Sequence, residues 1–165
     1  MATLTKLESK IAEVMGLAMA SQEAVDTVSD LLDDDGHPLT EKLARMRLEA
    51  RETQKRCTEV AGTFDRKKTA IVAAAKETKA EAVEMMETYL EGEEDALDGF
   101  EFLTMAEAGE VGHWLVVTAM AKTAGNAQVA ALADWAIAIQ QRHFQDVLDA
   151  SVQLAGDEDP EEIES

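Results

Sequence analysis

Apolar residues recur along most of the chain at intervals of three and four, the spacing that lines them along one face of a helix. The first stripe is Leu7, Ile11, Val14, Ala18, Val25, Val28 and Leu32. Ahead of it, Thr5-Lys6-Leu7-Glu8 reads as a capping box, with the threonine hydroxyl accepting from the backbone and Glu8 reaching back. Asp33-Asp34-Asp35-Gly36-His37-Pro38 is a dense run of turn formers that predicts the helix stop. A second helix is expected from near Pro38, turning Leu39, Leu43, Met46, Ala50, Cys57 and Val60 toward a core. Gly62-Thr63-Phe64-Asp65 predicts its break. Lys67 to Leu90 is again helical in character, with Ile71, Ala75, Thr78, Ala82, Met85 and Tyr89 on its apolar face.

Glu91-Gly92-Glu93-Glu94-Asp95 interrupts that helix and sets acid at the start of the next, where the macrodipole favours it. The following helix is expected from about Asp95 to Thr123, with Leu103, Ala106, Glu110, His113, Val117 and Met120 inward. Ala124-Gly125-Asn126 reads as a tight turn between helices, with Asn126 as the next cap. The last stripe is Leu132, Ala136, Ile139, His143, Val147, Ala150 and Leu154, and Gly156 is its expected stop. Residues 1–156 are thus expected to form a single helical domain, and 157–165 an acidic flexible tail.

Composition agrees with the periodicity. Alanine, glutamate and leucine are the commonest residues, aromatics are 4%, and Pro38 and Pro160 are the only prolines. No alternating strand pattern competes, so the fold class is all-α. At 165 residues and 46% hydrophobic, the chain can bury a core without disulfides, and Cys57 alone could form none within the chain. The longest apolar runs, Ile71 to Ala75 and Trp135 to Ile139, are too short to span a bilayer, and the start carries no secretory pattern. A reducing cytoplasm is the expected setting. The net charge of −19 repels nucleic acid and anionic membranes and attracts cations.

The candidate chemistry lies where polar residues break the apolar stripes. Glu110 and His113 stand three apart on one helix, as do Gln140 and His143 on the last. Glu49 and Glu52 form a similar pair on the second helix, and the first offers Glu23. Glu23 and Glu49 are equidistant from the Gly36 turn, and Glu110 and Gln140 are equidistant from Gly125, so each pair is expected at one level. Both levels fall near mid-helix. If the two hairpins pack with their turns at opposite ends, all four positions converge. That packing needs the second helix parallel to the one bearing Glu110, and Lys67 to Leu90 is long enough to serve as the return.

Four long helices, a crossover after the second, and Glu110-x-x-His113 followed by Trp114 resemble the ferritin-like superfamily, closest to its YciF-like bacterial stress-protein branch. Leu97 to Leu148 resembles that branch best. The resemblance implies an antiparallel four-helix bundle with an additional helical crossover. It also implies a di-iron or iron/manganese carboxylate site that handles ferrous iron, dioxygen or peroxide in stress, as a ferroxidase- or peroxidase-type oxidoreductase. Carried over, the metal ligands are Glu23, Glu49 or Glu52, Glu110, His113, Gln140 and His143. Two positions depart from the pattern: the second helix has no histidine, and Gln140 stands where a glutamate is expected.

Blander readings stand beside each residue. His113 and His143 could be hydrogen-bonded core histidines, and Glu49 and Glu52 could face water. Glu107 is expected on the solvated face, with a spare-ligand role as the alternative, and Arg142 at the surface. Met15, Met19, Met46, Met105 and Met120 read as core filler, Trp114 and Trp135 as buried, and His37 as a turn residue. A metal-free bundle acting by self-association or partner binding is the alternative function, and an acidic cation buffer a third. A homodimer or higher homo-oligomer is the expected assembly.

Overall fold

A computed structural model describes residues 1–32, 36–92 and 95–164. These hold five helices and no strand: α1 (Lys6–Asp30), α2 (Pro38–Ala61), α3 (Lys68–Tyr89), α4 (Ala96–Ala124) and α5 (Ala127–Asp157). The capping box forms, with the Glu8 amide on Thr5 Oγ1 at 3.3 Å and the Thr5 amide on Glu8 Oε2 at 2.7 Å. Pro38 opens α2, where its missing N–H costs nothing, and His37 Nδ1 accepts from the Leu39 amide at 3.1 Å. Gly125 takes the left-handed conformation (φ 64°) that ends α4, and Asn126 caps α5. Asp33 to Asp35, Glu93 and Glu94 lie outside the described residues. Gly156 is no stop: α5 runs through it to Asp157, and the tail begins one residue later than expected.

Contacts between side chains fix the directions. Asp26 meets Arg47 at 2.8 Å and Gln22 meets Gln54 at 2.7 Å, so α1 and α2 are antiparallel. On α4, Gly99 lies against Val28, Glu107 against Ser21 and His113 against Glu13, so α4 also runs against α1. Lys42 to Asp146 and Arg56 over the Trp135 ring make α5 antiparallel to α2. Thr104 to Ser151, with Glu107 to Gln140, does the same for α4 and α5. Helices α2 and α4 therefore run in one direction. Between them α3 makes the return, parallel to α1, with Lys67 beside Glu8 and Lys79 beside Glu23.

The apolar core falls into two clusters. One gathers Ile11, Met15, Cys57, Ile71, Trp114, Val117 and Val129. The other gathers Val25, Val28, Leu43, Met46, Phe100, Leu103 and Val147. On α1, α2, α4 and α5 the clusters are separated at one level, and the buried polar residues Ser21, Thr53, Glu107, Glu110, Gln140 and His143 sit in that gap.

Several expected positions turn outward. Met85, Tyr89 and Met105 are exposed; on α3 the expected Ile71 and Ala75 are buried, joined by Ala70 and Met86. On α4 the buried stripe is Leu103, Glu107, Glu110, Trp114, Val117 and Ala121, not the stripe through Ala106, His113 and Met120. Both stripes fit a helical period and share Leu103, Glu110 and Val117. Trp114 decides between them, because an indole buries far more apolar area than an imidazole.

Candidate functional site

The polar layer is built on α4. Once Trp114 points inward, the turn before it must bury Glu107 with Glu110, one helical turn apart. Glu107 is 1% exposed and Glu110 8%. Glu107 Oε1 accepts from the Ser21 hydroxyl at 3.2 Å, and its Oε2 accepts from the Gln140 amide. The Gln140 amide also favours the charged form of Glu110, against that acid's burial. One side-chain amide carries two N–H donors, so Gln140 can serve both acids. A glutamate at position 140 would instead have brought a third like charge. Gln140 thus suits the two acids of α4, although the ferritin-like pattern expects a carboxylate there.

Burial first, and then the Glu107 charge, push the Glu110 carboxyl well above the usual range. The Cys57 thiol borders the same acid. Burial, then the Glu110 charge, pushes it up to about 12, so Cys57 is an inert thiol here.

His143 spans the layer. Its Nδ1 lies 3.7 Å from Glu107 Oε2 and its Nε2 lies 3.4 Å from Glu49 Oε1. Glu49, its side chain 21% exposed, is held in turn by Arg142 and by Arg45 at 3.2 Å. Burial raises the Glu49 carboxyl, but Arg142 and His143 together outweigh it and hold the group below its ordinary value. Arg142 is thus no idle surface residue, and its Nε is buried without a hydrogen-bond partner.

The expected ligand set therefore divides. Glu49, Glu110, Gln140 and His143 reach the layer. Glu23 does not: it faces α3 and meets Lys79 at 3.5 Å. Glu52 pairs along its own helix with Arg56 at 3.0 Å. His113, 43% exposed, turns to Glu13 at 3.3 Å. Position on the helix face explains each case, because all three lie off the stripes that bury Trp114, Ala24 and Thr53. Glu107, assigned by its pattern to solvent, is the most buried acid of the centre. Among the described residues, no three His, Cys, Asp or Glu side chains converge closely enough to hold a metal ion.

An apolar cavity of about 280 Å³ opens between α1, α3 and α4, with Glu107 and Glu110 among its lining residues and His113 beside them. No described helix is long and apolar enough to cross a membrane. No protein-family model, curated protein or solved structure matches the chain.

Proposed function

We propose that this chain is a ferritin-like bundle of α1, α2, α4 and α5, with α3 as its crossover, whose polar layer binds an iron or manganese ion. The observation that supports this reading is the layer itself. Two buried carboxylates lie close together, and among the described residues no lysine or arginine is paired with either of them. Buried acids are costly without a compensating charge. Glu107, Glu110 and His143 offer donor types that suit Fe²⁺ or Mn²⁺, two hard oxygens and an imidazole, and these side chains would have to close in from their present positions to share one ion. This is one ion's donor set. The wider dinuclear set does not fit, since Glu23, Glu52 and His113 are engaged elsewhere.

A bound iron ion would supply the ferrous–ferric couple used in oxidation by dioxygen or peroxide. The chain's own residues do the rest. Glu49, steadied by Arg142 and Arg45, holds the far nitrogen of His143 and so fixes the ring with Nδ1 toward Glu107. Gln140 and Ser21 orient the carboxylates. Glu110 gives up its proton when it accepts a cation, so affinity falls as pH falls. Titrating Mn²⁺ into chelator-treated protein by calorimetry tests this. Wild type binds and releases protons, and Glu107→Gln loses binding. No heat with wild type defeats the reading.

A second reading has its own support. The layer's acids already accept from Ser21, Gln140 and Arg142, and Met85, Tyr89 and Met105 stand exposed together along α3 and α4. A metal-free bundle acting through that surface, by self-association or partner binding, accounts for both facts.

A further inference from the structure

The cavity between α1, α3 and α4 has chemistry of its own. Its walls are Leu17, Val83, Met86, Phe102 and Leu103, and its polar groups include the deeply buried Glu107 and Glu110. The space does not come from loose packing throughout this seam. At Gly16, α1 and α3 approach so closely that a Cβ would fall 2.4 Å from the Ala75 carbonyl oxygen. Further along α1, the small residues Ala20, Ser21 and Ala24 face the cavity. Beyond Glu107, a Cβ placed on Gly109 would meet nothing within 4 Å. At about 280 Å³ the space falls just under the usual range of small-molecule pockets, roughly 300–1,000 Å³.

We propose that this cavity binds a small organic cation, an apolar body bearing a protonated amine, with the ammonium on Glu107 and Glu110 and the body against Met86, Phe102 and Leu103. Charge selects the head. A carboxylate offers about four acceptor sites, and two acids side by side outnumber the donors given by Ser21 and Gln140. An ammonium brings three donors and a compensating charge. An anion would meet the same acids with repulsion, and a neutral hydrocarbon would leave them unpaired. The apolar walls select the body, because a bare metal ion gains nothing from them. Met85 and Met105 at the exposed edge adapt to different shapes. The inference does not rest on metal binding, although an amine and a metal ion would compete for the same carboxylates.

The test uses chelator-treated full-length protein and calorimetry. Phenethylamine and the straight-chain amines from butylamine to octylamine are each titrated against the matching alcohol, with phenylacetate as the anionic control. At least one amine is expected to bind about tenfold or more tightly than its alcohol, the difference expected from one charge-assisted contact. Phenylacetate is expected not to bind. Glu110→Gln should remove the preference for the amine. Gly109→Leu, at an exposed position where the helix tolerates it, should block entry while thermal unfolding stays unchanged or rises. If no amine outdoes its alcohol, or if Glu110→Gln retains the preference, the inference fails. Metal uptake without amine binding leaves the metal reading standing alone, and the reverse result leaves this one.

Discussion

Glu110 is in electrostatic conflict with its surroundings, being buried beside a second acid with the Gln140 amide as its neighbour. Its carboxyl is raised in the folded state, so the sign is fixed. The protonated form is favoured by folding, and that contribution is complete at pH below the ordinary 4.5 and is lost as pH climbs through the folded value. Metal-free wild type should therefore lose stability as pH rises above 4.5, and Glu110→Gln should lack that part of the decline. Denaturant titrations across the range check it, and parallel curves would contradict it. At pH 8 the variant should unfold a few degrees higher, since about 1 kcal/mol moves a domain of this size by roughly 2–4 °C. Glu49 acts oppositely: its lowered carboxyl stabilises the fold above 4.5 and ceases to as pH falls below. Cys57, raised to about 12 and buried, should resist thiol reagents in native protein and react at once in denaturant.

Among the elements, the α1–α3 seam and the face of α4 are the most exacting. Gly16→Ala forces a Cβ against backbone at Ala75 and against Thr78, and should cost about 1–3 kcal/mol by denaturant titration. Trp114→Ala should cost about 3–5 kcal/mol, whereas the exposed neighbour Leu115→Ala should cost about 0.5 kcal/mol or less. That contrast also tests the phase of α4. The chain's punctuation made the helices legible: Thr5 with Glu8, Pro38, and Gly125 with Asn126 act locally, so a single sequence exposes them. The common level of Glu110 and Gln140 was legible from their equal spacing about Gly125. The rotation of α4 was harder to read, because one wheel position separates Glu107 and Trp114 from Ala106 and His113. The size of Trp114 and the small Ala121 were the available signals. Ser21 and Thr53 gave none, since their place in the layer depends on neighbours supplied by other helices.

For the whole molecule, −19 of net charge means self-repulsion and a general attraction for cations. Added monovalent salt should raise the unfolding temperature, as screening relieves the repulsion. The same screening separates the candidate functions. A cation gathered by surface acid is released at moderate salt, and one enclosed by Glu107, Glu110 and His143 is retained. The most direct measurement is therefore elemental analysis of protein produced with iron and manganese, then desalted at moderate ionic strength. Wild type should retain stoichiometric metal, as should variants at Glu23, Glu52 and His113, and Glu107→Gln should retain none. Metal-free wild type, or metal lost with His113 but kept without Glu107, would contradict the account.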